Sequence, residues 1–374
     1  MHDQPIGRMT MGAVALATAA GLLSGCGYGA SADASAGAGA GATAQAQGAS
    51  GAKLSADTVK IGYFPNLTHG TALVGLQDGL FQKELGSTRI KSQYFNAGPA
   101  EIEALNAGSI DIGWIGPNSA INGYAKSHGT SLRVIGGSAS GGVKLVVNPA
   151  KISSLDDLRG KKIATPQLGG TQDVALLNYL VGKGFKVDPA SGAGDVSVLR
   201  TENKVVPEAY KSGSVDGAWV PEPTASRLVT LGAKVLLDEK SLWPDGKFVT
   251  TNIIVSQKFL TAHPDVVEAV LRGSVAANAL IKAEPEKAKA YANLQIKADT
   301  GNELPPAILD PAWSSIDFID DPLASTLQAG ADHAVAAGLL QKPELAGIVD
   351  LTLLNKVLTA AGRPAAADAG LGAK

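Results

Sequence analysis

Gly108-Ser-Ile-Asp-Ile-Gly-Trp-Ile-Gly-Pro117 is written a second time in this chain, as Gly213-Ser-Val-Asp-Gly-Ala-Trp-Val-Pro221. In both copies an Ala stands four residues before the Gly (Ala104, Ala209), an apolar strand-like run surrounds the Asp, and a Pro and a helical pattern follow the Trp. An earlier pair keeps the same order: Lys60-Ile-Gly-Tyr-Phe-Pro65-Asn-Leu67 runs into a helical pattern, and Lys162-Ile-Ala-Thr-Pro166-Gln-Leu168 does so roughly a hundred residues later. Self-similarity at a nearly fixed offset marks a repeated structural unit. Two lobes of like topology are implied, and the cleft between them is the natural functional site.

The bulk properties agree with two packed lobes. The chain has 374 residues, 45% of them hydrophobic and 18% charged, enough for two buried cores. Lys+Arg 32 against Asp+Glu 34 leaves a net charge of −2, so there is no broad basic field to attract nucleic acid, and none is expected as a partner. His69, His128, His263 and His333 lie far apart and none has a metal-ligand partner at i+3 or i+4, so no metal is expected. The chain also lacks G-x-S-x-G, a Walker P-loop and H-E-x-x-H; it is expected to be neither an ATPase nor an enzyme of those classes and to need no cofactor.

The start of the chain reads as an address rather than as fold. Met1 to Arg8 is weakly positive, Met9 to Leu23 is mostly small and apolar, and Leu23-Ser24-Gly25-Cys26 resembles the lipobox of bacterial lipoproteins. That resemblance implies a signal peptide over 1–25 and a lipid on Cys26, the only cysteine. An ordinary signal peptide or a membrane anchor competes with it, but a membrane span needs about 20 apolar residues and this run is marginal. From Gly27 to about Lys53 the composition collapses to mostly Ala, Gly, Ser, Gln and Thr, so residues 26–55 are expected to be a flexible tether.

The folded part alternates strand and helix from Val59 onward, an α/β pattern that argues for mostly parallel sheets covered on both faces. Ser138 to Gly142 reads as a Ser/Gly turn, and the β-branched run Phe248 to Ser256 reads as the return crossing into the first lobe. The expected boundaries are 56–145 and 252–345 for lobe 1, 146–251 for lobe 2, and 346–374 for a C-terminal helix and tail. From His263 the pattern is helical and is expected to wrap lobe 1.

Several segments together carry a family likeness: the lipobox, IGYFPNLTHGTALVGLQDGLF, ALNAGSIDIGWIGPNSA, SLDDLRGKKIATP and KSGSVDGAWVPEP. They resemble the solute-binding lipoproteins of bacterial ABC importers, in the group that includes sulfonate-, taurine- and nitrate-binding proteins. The resemblance covers about residues 57–340. It implies a two-lobed, type II periplasmic-binding-protein-like fold with two strands crossing between lobes. It also implies an extracytoplasmic, lipid-anchored monomer that delivers a small organic anion to a permease driven by an ATPase.

In open parallel sheets ligands bind beyond the carboxyl ends of the strands. A helix N-terminus there holds an anion without a formal positive charge. The expected ligand contacts are therefore Asn66, Thr68 and His69 before the first helix, Asn118 after the first copy, Ser138 and Ser140, and Gly170, Thr171 and Gln172 opening a helix of lobe 2. Helix capping alone competes for each Thr, Ser and Asn. Trp114 and Trp219, equivalent in the two copies, either wall the ligand or pack their own cores. Glu222 either meets a ligand amine or sits as a carboxylate at a helix start. Asp111 and Asp216 read as scaffold. An aliphatic sulfonate is the leading ligand; taurine, nitrate or a pyrimidine precursor are alternatives. An enzyme on the same fold, drawing on His69, Asp173 and Glu222, is the reading of a different class.

Overall fold

The computed structural model describes residues 53–372; the expected signal peptide, Cys26 and nearly all of the expected tether lie outside the described residues. The strands run β1 (Thr58–Tyr63), β2 (Arg89–Tyr94), β3 (Ile112–Ile115), β4 (Leu132–Gly141), β5 (Val143–Val147), β6 (Lys162–Thr165), β7 (Ser197–Arg200), β8 (Gly217–Pro221), β9 (Lys234–Asp238), β10 (Val249–Ser256) and β11 (Ile316–Phe318). They form two sheets, ordered β2-β1-β3-β10-β4-β11 and β7-β6-β8-β5-β9.

The duplicated sequence builds a duplicated unit down to single hydrogen bonds. In each copy the turn that closes the helix before the Gly bonds back to the Ala: the Ser109 N–H donates to the Ala104 carbonyl at 2.8 Å and the Ser214 N–H to that of Ala209 at 2.9 Å. Gly108 and Gly213, at φ +68° and +73°, supply the left-handed turn that such a helix end requires. The Asp then locks the neighbouring strand. Asp111 Oδ2 accepts the Lys60 N–H at 2.9 Å, and Asp216 Oδ2 accepts that of Lys162 at 3.0 Å. Scaffold is the right reading for both.

Each sheet holds an antiparallel strand beside the crossing: β10 returns to the first sheet after the second is complete, and β5 opens the second sheet directly after β4. β10 lies antiparallel between β3 and β4, and β5 lies antiparallel between β8 and β9. The chain thus crosses twice, at Gly141–Gly142 and over residues 239–248. β10 is buried along all but its last residue, as expected of a β-branched run with a strand on each side. At Gly142, with φ +69°, a Cβ would come within 2.6 Å of Ile316 Cγ1; the crossing is tight enough to need glycine.

Two local expectations change. Ser138 and Ser140 lie inside β4 and not in a turn, because β10 on one side and the short β11 on the other both pair with this segment. Its small residues accommodate close backbone approach rather than a reversal. The change of sheet falls at Gly142, ahead of the expected boundary, because Val143–Val147 pairs wholly with lobe 2.

One core fills lobe 1 and two smaller ones flank the lobe 2 sheet. Of the C-terminal helices, Ala324–Ala336 packs on Pro117–Lys126 of lobe 1 and on Thr171–Gly182 of lobe 2, so the helical wrap reaches both lobes. Ser55 is tied down as well, its N–H donating to Asp265 Oδ2 at 2.7 Å.

Candidate functional site

Strand ends of both lobes meet at a cavity of about 50 Å³. Lobe 1 brings Phe64, Asn66, Thr68, His69, Asn96, Ala97, Gly98, Gly116, Ser119 and Thr250; lobe 2 brings Pro166, Gln167, Gly170, Thr171, Gln172, Asn203 and Pro221. A single water needs about 10–15 Å³, so the space suits a few waters or one compact head group.

Three helices begin at this wall: Gly98–Asn106, Pro117–Lys126 and Thr171–Gly182. Their N-cap residues are Ala97, Gly116 and Gly170, and none of the three gives a side-chain cap. The first turns hold N–H groups with no side-chain cap, except at Pro99 and Pro117, which have none, and at Ser119, whose N–H turns back to the Gly116 carbonyl at 3.1 Å. The positive ends of three helix dipoles therefore face one small space.

The side chains around it are polar and uncharged. His69 is buried, and burial drives its pKa down to about 3, so the ring is neutral. Its Nδ1 accepts the Phe64 N–H at 3.2 Å, which fixes the proton on Nε2. The Asn66 amide is oriented in the same way: Oδ1 takes the Thr68 N–H at 2.9 Å and its hydroxyl at 2.6 Å, leaving the amino group as donor. Thr171 Oγ1, Gln167 Oε1 and Asn203 Oδ1 are buried with no hydrogen-bond partner among the described residues. Buried polar atoms are normally paired, so these three mark contacts awaiting a ligand or water.

Just behind this wall sits Glu101, fully buried, both oxygens unpartnered among the described residues. Its carboxyl occupies space left by two glycines; a Cβ on Gly62 or Gly113 would come within 2.8 or 2.5 Å of Oε1. Burial pushes its pKa well above the carboxylate range. Burial therefore disfavours a negative charge at this position beneath the cavity.

Six of the expected contacts line the cavity: Asn66, Thr68, His69, Gly170, Thr171 and Gln172. The other six are elsewhere. Trp114 packs against Phe81 with ring centres 5.4 Å apart, and Trp219 against Tyr179 at 5.6 Å; both are fully buried core residues. Asn118 donates to the Gly330 carbonyl at 2.9 Å, fastening the C-terminal wrap. Ser138 is buried in β4, and the Ser140 hydroxyl accepts the Phe248 N–H at 3.4 Å. Glu222 is buried, paired with Lys144 at 2.7 Å, and accepts the Ser226 N–H at 2.9 Å. It is a structural carboxylate at a helix start. Asp173 is held by Arg200 at 3.0 Å and by Thr165 Oγ1 at 2.7 Å, so of the three titratable groups that catalysis would draw on, only His69 reaches the cavity.

Asn96 and Asn203 were missed, although the repeat could have found them. They lie in the loops that follow β2 and β7, which are equivalent edge strands of the two sheets. Ser119 and Gln167 lie close to the expected contacts Asn118 and Gly170 to Gln172, but nothing in their spacing singles them out.

Comparisons with known proteins agree with this architecture. The family model described as the NMT1-like family matches residues 52–296. The taurine-binding periplasmic protein of Escherichia coli (strain K12) is 30% identical over 216 residues, 58% of this chain and 64% of that one. A Bacillus subtilis (strain 168) protein named "Putative aliphatic sulfonates-binding protein" is 27% identical over 375 residues, covering 94% of this chain and 97% of its own. The alkanesulfonate-binding protein SsuA from Xanthomonas axonopodis pv. citri, solved bound to MOPS, superposes with a TM-score of 0.62 at 25% identity, over 76% of this chain and 95% of that one.

Proposed function

This chain belongs to the NMT1-like family, and from that premise we propose that it is the extracytoplasmic solute-binding component of an ABC importer. Its ligand in this reading is a small organic anion with a sulfonate head, held in the inner cavity and passed to a permease. The observation that carries the reading is the meeting of three uncapped helix N-termini at a cavity lined by no charged side chain. Such a wall favours an anion rich in acceptor oxygens and offers a cation no carboxylate. The relatives named for sulfonates and taurine support the same head group.

Because the cavity walls come from both lobes, ligand binds the closed arrangement preferentially, which is what drives hinge closure. The glycine crossing at Gly141–Gly142 and the segment 239–248 are the hinge. Delivery at a membrane fits a lipid on Cys26, and the protein acts as a monomer in this account. Titration calorimetry with methanesulfonate, taurine, nitrate and acetate tests the ligand class. Heat with the sulfonates, exceeding that with acetate, is the expected result. No heat with any sulfonate contradicts the reading.

A further inference from the structure

Gly169, two residues before the Thr171–Gly182 helix, is held from both lobes. Its N–H donates to Asp173 Oδ2 at 3.0 Å, and Asp173 is itself fixed inside lobe 2 by Arg200 and Thr165. Its carbonyl accepts from Asn122 Nδ2 at 3.2 Å, and Asn122 stands on the Pro117–Lys126 helix of lobe 1. The first bond is internal to lobe 2, whereas the second exists only while the lobes are together. Gly169 lies at φ +70°, a conformation that glycine takes without strain. The lobes also approach closely at the next turn: a Cβ on Gly116 of lobe 1 would come within 2.6 Å of Thr171 Oγ1 of lobe 2.

Among the described residues, two side-chain hydrogen bonds join the lobes outside the crossing segments. One runs from Ser315 Oγ to Glu222 Oε1 and is long, at 3.5 Å; the same hydroxyl meets the Ala312 carbonyl at 2.9 Å. A hydroxyl has one proton to give, and the shorter bond takes it. The bond from Asn122 to Gly169 is the other. Neither of its residues lines the cavity, yet Gly170, Thr171 and Gln172, which follow directly, all do.

We infer that Asn122 is a closure latch, a positioning residue that sets ligand affinity without touching the ligand. It holds the lobes shut and aims the start of the Thr171–Gly182 helix at the bound anion. The inference rests on the anion reading of the cavity. Apparent affinity falls with the fraction of protein in the binding-competent state, so a latch acts by the same factor on every ligand. A residue in contact with the ligand would discriminate between head groups and tails.

Calorimetry on the purified full chain with methanesulfonate and taurine tests the latch, using wild type, Asn122→Ala and Asn122→Gln. Asn122→Ala is expected to weaken both ligands by one common factor of about three to ten, the worth of a single net hydrogen bond. Because Asn122 is only half-buried, the ligand-free variant is expected to melt as wild type does. Asn122→Gln keeps the amide donor and is expected to recover affinity for both ligands. Unchanged affinity in Asn122→Ala, a loss with one probe alone, or no recovery in Asn122→Gln would overturn the latch and leave the cavity reading intact. So would a lower melting temperature of the ligand-free variant that accounts for the lost affinity. Wild-type protein silent to both probes would overturn the anion reading and this one with it.

Discussion

The two copies of the repeated stretch share their scaffold and differ in the helix start that each leads into. After the first, Gly116 opens a helix with no side-chain cap, and that helix start faces the cavity. After the second, Glu222 reaches into the first turn of its own helix and takes the Ser226 N–H at 2.9 Å, while Lys144 neutralises it at 2.7 Å. One helix start is left to a ligand; the other is closed by the protein itself. The Trp pair divides in the same way. Trp219 Nε1 donates to Glu239 at 2.7 Å, whereas Trp114 Nε1 is buried with no partner among the described residues. The duplication copied the fold, and local chemistry then assigned the lobes different work. Lobe 2 instead meets the ligand space through the start of its Thr171–Gly182 helix.

The sharpest way to break this comparison is to close an open helix start. Thr171→Asp puts a carboxylate at the first position of its helix, where the dipole favours it by about 0.3–1 kcal/mol, but inside the anion cavity. Sulfonate affinity is expected to fall about a thousandfold, since like-charge juxtaposition costs several kcal/mol, with thermal stability held or raised. Calorimetry and a melting curve read the two opposite signs.

Next in size is the closed helix start. Glu222→Gln leaves Lys144 without its counter-charge and is expected to cost about 3 kcal/mol in denaturant unfolding. Its direct effect on affinity is expected to be small, because Glu222 does not line the cavity.

The Trp pair gives a smaller, matched test. Trp114→Phe and Trp219→Phe remove the same atoms, so their cavity costs are comparable. Only the second removes the shorter of two bonds to a buried carboxyl, 2.7 Å against 3.4 Å from Trp243 Nε1, and it is expected to be worse by about 1–3 kcal/mol.

The gentlest test is pH. Burial lifts Glu239 from 4.5 to about 7, against the opposing bonds from Trp219 and Trp243. A raised folded-state pKa gives stability that is complete below the unfolded value and is lost as pH rises through the folded one. Unfolding free energy should therefore decline between these two values, by at most about 1.4 kcal/mol per pH unit from this group. Trp219→Phe removes a bond that favours the charged form and should extend the decline to higher pH. A flat profile in both proteins would contradict the assignment.

Much of the fold was legible because the repeat is written in residue types that backbone geometry demands: a glycine at positive φ after each helix, an Asp locking the strand behind it, and a β-branched run for the returning strand. The site was legible by place more than by residue. Loops at strand ends were identifiable, and Asn66, His69 and Thr171 within them, because helix starts have a local signature. Glu222 and the Trp pair stood out for their chemistry, yet burial and pairing are tertiary facts that no spacing encodes. Ser138 and Ser140 looked like a turn because β11, which holds them in a sheet, lies far along the chain and spans only Ile316–Phe318. The Asn96 and Asn203 pair was readable only by carrying the repeat out to the edge strands.

The central claim is that the anion is held by helix N-termini without a formal positive charge. A crystal structure with methanesulfonate tests it most directly. The account predicts sulfonate oxygens within hydrogen-bonding distance of first-turn N–H groups of the Gly98–Asn106, Pro117–Lys126 and Thr171–Gly182 helices, with no Lys or Arg side chain in contact. A sulfonate seated instead against Lys204 or Arg227, which line a larger space next to the cavity, would contradict it.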